Sequence, residues 1–395
     1  MYINFWYPML RSEDLAAGKP EKVKVLGLNF AVFRDNDGVA RTLSDTCTHR
    51  GGSLAGAWQL GERPRIVDGC IVCPYHGWEF SGESGECTNI PSIGYGTKPP
   101  ARAKVDSYPT VEKYGIVFAF LGDLPEEERP PLIEVKEWDN PKWRANSVLV
   151  LDVPFHYERS MENGIDPAHN EFVHPTHGLS AIHRDTYKVR DHDVVEGDQS
   201  LGIMFKHRYA APGLGHNETY KSVSSEAPAQ DIYAGTETYG PAAMITQIEP
   251  SSNMMFRQYF IEAPVDENRT RIFFVNMRNF LLDPKHDGAI HARNKVIAQQ
   301  DIETLSGVYP LRTPSNTKEV HMPADKAVVG YREWLQKWDD KGWRIDWNTY
   351  KMREAGGETA FTIPSPGRRT AGNWVLETVP LFKNHAERMK AESKR

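Results

Sequence analysis

Two short runs dictate how the N-terminal third of this chain can fold: Cys47-Thr48-His49 and, after 23 intervening residues, Cys73-Pro74-Tyr75-His76. Each offers one thiol and one imidazole, and each sits among turn formers: Gly51 and Gly52 after the first, Gly77 after the second. Bringing four such groups to one point calls for two tight loops on a rigid frame, and glycine lets a backbone approach a metal closely. Two centres fit this donor set. One is a structural zinc with two Cys and two His ligands. The other is a [2Fe–2S] cluster in which two histidines replace two cysteines on one iron, which raises its reduction potential. Zinc passes no electrons; the cluster does.

A second constellation bears on that choice. Within Glu162–Pro175, His169 and His174 stand five apart, and Asp166 lies three residues before the first. Two imidazoles and one carboxylate form the facial triad that holds a non-haem Fe(II) and leaves positions open. On an ideal helix, residues five apart diverge by about 140°, so the spacing predicts a widened turn of π-bulge type, ended by Pro175. Asp166-Pro167 also reads as an N-cap followed by a first-turn proline, which would make Asp166 structural. Residues 287–306 have helical composition, and at about 100° per residue Ile290, Ile297, Asp301 and Leu305 share one stripe. A carboxylate on an apolar stripe needs a cation. For Asp301 this is either the metal of a His169/His174 site or an arginine such as Arg293, whereas Glu303 faces the opposite, solvated side. An iron that activates oxygen needs electrons, and a [2Fe–2S] cluster supplies them. Each motif explains the other.

On these residues the chain resembles the terminal oxygenase (alpha) subunits of the Rieske non-haem iron aromatic-ring-hydroxylating oxygenases. The matching residues are Cys47-Thr48-His49-Arg50-Gly51, Cys73-Pro74-Tyr75-His76-Gly77-Trp78, and Asp166-Pro167-Ala168-His169 with His174. The spacing between His49 and Cys73 exceeds the family's usual one, which predicts an enlarged loop around residues 58–65. The resemblance implies an α+β architecture: an N-terminal β-rich Rieske [2Fe–2S] domain, then a catalytic helix-grip domain of antiparallel sheet with helices. It implies a cluster on Cys47, His49, Cys73 and His76, and a mononuclear Fe(II) on His169, His174 and Asp301. It also implies a head-to-tail homotrimer in which Asp166 joins His169 to His76 of a neighbouring chain. His177 is a rival ligand, treated as a pocket or structural residue. His183, His192, His207, His216, His286, His291 and His321 have no ligand spacing.

The rest of the chain supplies boundaries. A length of 395 residues suits two domains, expected at 1–135 and 136–395 with a proline-rich linker at 124–131. A net charge of −6 gives no pull toward nucleic acid or anionic lipid, and no apolar run approaches a membrane span. The N-terminus lacks the basic region of a signal peptide. Four cysteines do not make a disulfide framework; of the two outside the cluster motifs, Cys70 and Cys87, the first is expected as a buried small hydrophobe near the cluster loop, and a cytoplasmic location fits.

Asp35-Asn36-Asp37-Gly38 signals a hairpin, and strands are expected over 23–33, 116–121, 147–152, 201–209, 236–240, 243–248, 254–261 and 270–277. Met254, Met255, Phe256 and Tyr259 are read either as pocket lining or as plain core, and 384–395 as a helical tail. No dinucleotide fingerprint follows a strand, so electrons must come from a separate NAD(P)H-dependent reductase, with or without a ferredoxin. O₂ and an aromatic or other hydrophobic organic molecule complete the expected partners. Ring dihydroxylation, monohydroxylation and demethylation all fit this scaffold. Two rival readings are a Rieske-type electron carrier, which would not need the residues after the linker, and a zinc-stabilised binding module, which would not need His169, His174 and Asp301.

Overall fold

The computed structural model describes the chain except residues 175–187, 198–199, 209–230, 252, 358 and 394–395. It divides into two compact units, Met1–Leu132 with Gln336–Arg395, and Ile133–Leu335. Where the sequence reading runs a second domain from 136 to the C-terminus, the segment from Gln336 onward packs with the first unit instead. Tyr2 shows why: its hydroxyl donates to the fully buried Asp339 at 2.9 Å. Phe5 meets Trp338 and Trp343 edge to face. Such long-range aromatic contacts leave no periodic trace in sequence.

The two four-stranded sheets of the first unit are antiparallel, whereas Phe361–Thr362 and Glu377–Thr378 form a short parallel pair. One sheet orders Glu21–Val25, Leu28–Arg34, Ala40–Ser44 and Ser107–Tyr108. A second orders Ile66–Val67, Cys70–Val72, Glu79–Ser81 and Cys87–Asn89. The β-rich run over 23–33 is folded in two at Leu26-Gly27, both with positive φ, so that Val25 faces Leu28. Only glycine fits the second position, because a Cβ there would lie 1.9 Å from the Trp347 ring. The hairpin at 35–38 forms as expected, with Gly38 at φ +80° and the Asp35 amide donating to Val39 O at 2.9 Å.

The second unit is built on one antiparallel sheet. Its order is Arg144–Ala145, Thr270–Arg278, Met254–Pro264, Ala243–Ser251, Asp231–Thr238, Leu201–Arg208 and Arg190–Glu196. Leu149–Val153 also pairs with Thr270–Arg278. Among the described helices of this unit, α1 (Tyr157–Gly164), α2 (Asn170–Val173) and α3 (Asp287–Leu305) carry the site. The last lies across the sheet. At its start Ile290 packs on Met254, Phe256 and Phe280; at its end Leu305 packs on Val153, Phe155 and Ile272.

The first residue of α3 is held firmly. Arg144 and Arg278 are directly opposed across their ladder, an arrangement that like charges disfavour. The Asp287 carboxylate offsets the repulsion by accepting from both, at 2.9 and 2.5 Å from Arg144 and 2.5 Å from Arg278. Among the described residues no helix is long and apolar enough to cross a membrane.

Candidate functional site

The two Cys/His loops close in the same way. In each, the cysteine amide donates to the carbonyl five residues on: Cys47 to Gly52 at 2.8 Å and Cys73 to Trp78 at 2.7 Å. The amide four residues on returns to the cysteine carbonyl, from Gly51 at 2.9 Å and from Gly77 at 3.0 Å. Both of those glycines have positive φ, +70° and +74°, so the motif glycines are conformational requirements.

The thiols are buried in the core of the unit beside Leu54, Phe80 and Cys87, while the imidazoles are exposed. The thiols share a hydrogen bond that holds Cys73 down to about 6 and pushes Cys47 up. His49 Nδ1 and His76 Nδ1 lie 3.1 Å apart, and Trp78 stacks on the His49 ring at 4.6 Å. Sulfurs converge inside and nitrogens converge at the surface, which suits a cluster with one cysteine-held and one histidine-held iron. Cys70 is buried, as expected, and Cys87 is buried too, with sulfur contacts to Thr88 Oγ1 and Asn89 O respectively.

His169, His174 and Asp301 come together: their ligand atoms lie within 4.8 Å of one another. Asp301 Oδ1 is 3.2 Å from His174 Nε2 and 3.9 Å from His169 Nε2. The rings face each other edge-on at 5.2 Å. The expected π-bulge is absent. Instead α2 is a single turn, with His169 as its N-cap and His174 just past its end. Ending the helix on both sides frees the two rings to converge, which solves the five-residue spacing by a shorter route than a widened turn.

Each imidazole has its other nitrogen engaged. His169 Nδ1 lies 2.7 Å from the Asp166 carbonyl and donates to it, and His174 Nδ1 lies 3.0 Å from Gln300 Oε1. In the neutral form of each ring Nε2 is therefore the free acceptor, the tautomer that metal ligation requires; both Nε2 atoms face Asp301, which holds a proton on His174 when no cation is between them. Burial lowers His169 against the pull of Asp301. For His174 burial also opposes the charge, but Asp301 outweighs it and the ring is raised. A cation between these groups would replace that proton, so the donor set fits a divalent metal.

Asp301 lies on α3 as the periodicity predicts, and Asn163 Nδ2 donates to its Oδ1 at 3.0 Å. Glu303 is exposed, bound to Gln299 at 3.0 Å. The Asp166 carboxylate accepts the Ala168 amide at 2.7 Å, a local turn bond; it is the Asp166 carbonyl that serves His169 within the chain. Pro175, His177, His183 and His216 lie outside the described residues. No further histidine joins a group of three ligand atoms among those described.

The triad opens on a cavity of about 140 Å³. Its walls are largely apolar: Leu151, Val153, Phe155, Met244, Phe260 and Phe274 among others. Of the methionine-rich strand only Gln258 and Phe260 reach it. Met254 and Phe256 are core under α3, and the Tyr259 hydroxyl binds Glu137 at 2.5 Å on the other face of the sheet, so the plain-core reading holds. Sequence reasoning missed Asn163, Gln300, Ser160 and Asn294. Asn294 carried a signal, since it stands on the same apolar stripe as Asp301, two turns before it.

Residues 5–109 match the Rieske [2Fe-2S] domain, and residues 153–341 the vanillate O-demethylase oxygenase C-terminal domain. A cholesterol 7-desaturase of Hemicentrotus pulcherrimus is 35% identical over 176 residues, 44% of this chain and 36% of that protein. The oxygenase subunit of a 3-chlorobenzoate-3,4-dioxygenase from Comamonas testosteroni is 26% identical over 279 residues, 69% of this chain and 58% of the relative. The match thus spans less than two thirds of the length of either. Among solved structures, NdmA of Pseudomonas putida CBB5 with caffeine superposes with a TM-score of 0.66 at 22% identity, covering 85% of this chain and 91% of that one. Dicamba monooxygenase bound to 3,6-dichlorosalicylic acid gives 0.66 at 24%, covering 85% and 96%. These likenesses establish the fold.

Proposed function

This chain belongs to the Rieske non-haem iron oxygenases, and we propose that it is the catalytic component of one, oxidising a hydrophobic organic molecule with O₂. The observation that carries this reading is the convergence of two imidazole Nε2 atoms and one carboxylate on the wall of an apolar cavity, in a chain that also bears two Cys/His loops. Neither an electron carrier nor a zinc module has use for that convergence.

Cys47, Cys73, His49 and His76 would hold the [2Fe–2S] cluster, and His169, His174 and Asp301 the mononuclear Fe(II). When bound, the metals supply one-electron transfer and reductive activation of O₂. The protein's own residues do the rest. Asp166 O and Gln300 orient the two rings, Asn163 steadies Asp301, and the apolar walls exclude water and seat the substrate. A volume near 140 Å³ resembles that of cavities that take a single benzene ring. The substrate we favour is therefore one ring with small substituents, hydroxylated or oxidatively demethylated.

Electrons come from a separate reductase, directly or through a ferredoxin, and all four cysteines being free suits the reducing cytoplasm. The assembly is a homotrimer in which the Asp166 carboxylate links the iron site of one chain to His76 of the next. The deciding experiment is reconstitution with a surrogate reductase and a panel of substituted aromatic compounds, scoring oxygen uptake against product. A reddish-brown protein with three irons per chain and substrate-dependent uptake is expected. A colourless zinc protein, or a coloured one with two irons and no uptake, would overturn the assignment.

A further inference from the structure

Glu262 is fully buried, and neither of its carboxyl oxygens is held in a well-aligned hydrogen bond; among the described residues, the one polar side chain that interacts with the carboxyl is that of Ser160. It lies on the strand Met254–Pro264, whose alternate residues Gln258 and Phe260 form part of the cavity wall. Two residues further along, its side chain points into the same layer. Across the ladder it faces Ile272, another wall residue. The polar side chain that bears on it is Ser160 of α1, which is itself in the wall. Glu262 therefore stands directly behind the cavity, separated from it by one hydroxyl. One turn on from Ser160, Asn163 lines the same cavity and holds Asp301.

Charges on the packed elements point elsewhere. On α1, Glu158 accepts from the Tyr157 hydroxyl, Arg159 binds Glu319 and Pro310 O, and Glu162 pairs with Arg332. Arg271 on the adjacent strand pairs with Asp152, Arg257 on the same strand pairs with Glu137, and Ala243 and Met244 are apolar. With burial dominant, the carboxyl keeps its proton up to about pH 8.

Oxygenation consumes protons: R–H + O₂ + 2 e⁻ + 2 H⁺ gives R–OH + H₂O, the electrons coming from the reductase. Among the described residues, the titratable ones in the wall are His169, His174, Asp301 and Arg293. With a metal held, both Nε2 atoms and Asp301 are committed to it, both Nδ1–H groups are committed to Asp166 O and Gln300, and a guanidinium does not release a proton.

Building on the oxygenase reading, we propose that Glu262 is the proton store of this cavity. Its O–H donates to Ser160 Oγ as the Ser160 O–H passes a proton into the cavity where O₂ is reduced; the carboxylate left behind takes up a proton that comes from solvent, and the cycle runs twice per turnover, once for each proton of the equation. Glu262 acts through Ser160 and does not touch substrate.

Glu262→Gln keeps the shape and cannot release a proton. The first measurement needs no turnover. As pH rises from about 4.5 to about 8, the unfolded chain ionises this carboxyl while the folded chain retains the proton. The thermal stability of the full chain should therefore fall relative to Glu262→Gln across that window. A difference that does not vary with pH would mean that the store is already ionised, and would overturn the proposal.

The second measurement is product formed per O₂ consumed, with both metals loaded. Glu262→Gln should form product at least about 100-fold more slowly, release peroxide instead, and keep a flat rate above about pH 8, where the wild-type rate should decline. Glu262→Asp should recover part of the rate. Ser160→Ala should lose product formation while keeping the pH-dependent stability difference. Wild-type coupling in Glu262→Gln, with an active wild type, sinks the relay alone. A wild type that loads both metals and never consumes O₂ sinks the oxygenase reading and the relay with it.

Discussion

Gln300 Oε1 accepts the Nδ1–H of His174 at 3.0 Å, while the next residue along the helix, Asp301, faces the opposite nitrogen of the same ring at 3.2 Å. Adjacent residues on a helix diverge by about 100°, so the ring is gripped from two directions by one turn of α3. This fixes both tautomer and orientation before any metal arrives. Replacing Gln300 with Leu should weaken Fe(II) binding by roughly 10–100-fold, the usual cost of losing such a support, with the cluster spectrum unchanged. Titrating the Rieske-loaded protein with Fe(II) measures this, and wild-type affinity would show that the ring needs no such support.

Asp301 and Glu303 offer a sharper contrast. Asp301→Ala should abolish mononuclear iron binding and turnover while leaving the cluster absorption intact, because the two centres use different residues. Glu303, exposed and hydrogen-bonded to Gln299 on its own helix, should tolerate Ala with full iron content. Metal analysis of both variants decides the matter; the reverse pattern would mean that the triad lacks its carboxylate.

The position of Asp301 is legible in the sequence because a single carboxylate on an apolar helical stripe violates a simple rule, and the violation has few remedies. The cluster loops are legible for a similar reason, since thiols, imidazoles and glycines at fixed offsets leave little else to build. Other features are not. Asn163 and Gln300 are ordinary polar residues until the fold sets them against Asp301 and His174. The route by which His169 and His174 converge differs from the expected one, because spacing alone cannot separate a widened turn from a single-turn helix with a ligand at each end. The return of residues 336–395 to the first unit depends on Tyr2 meeting Asp339, a pairing across most of the chain.

A stability prediction concerns the start of α3. Arg278 is fully buried, and Asp287 accepts from it and from the opposed Arg144. Asp287→Ala would leave a buried guanidinium short of its counter-charge beside a like charge, and should cost about 3–5 kcal/mol, read as a lowered denaturation midpoint. Hydrogen bonding from Arg144, followed by Arg278, holds the Asp287 carboxyl below its ordinary value. Its contribution is therefore present above about pH 4 and lost as pH falls through the depressed folded value. The gap between wild type and Asp287→Ala should close in acid. A gap that persists below about pH 2 would point to packing instead.

Asp166 distinguishes a turn former from a bridge. Its carboxylate accepts the Ala168 amide, and Asn can make the same bond through its own oxygen. Asp166→Asn should accordingly fold and load both metals. If the carboxylate also links two centres across a subunit boundary, the variant should transfer electrons from cluster to mononuclear iron at least about 10–100-fold more slowly. Single-turnover kinetics measure that step directly, and a near-normal rate would leave Asp166 with the turn alone.

The last prediction concerns where the electron goes. The cluster loops and the triad belong to different compact units, and only an assembly can put a cluster from one chain beside the iron site of another. A closed head-to-tail ring gives every chain one such neighbour. Take one subunit with a dead cluster, His76→Ala, and another with a dead iron site, His169→Ala with Asp301→Ala. Each alone should be inactive. Co-expressed under different tags and purified through both, mixed oligomers should recover part of the wild-type rate, because some interfaces pair an intact cluster with an intact iron site. Transfer confined to one chain predicts no recovery, since neither parent carries both centres. Hybrids with both surviving centres loaded and no activity above the parents would exclude the route between subunits, and with it the bridging role of Asp166.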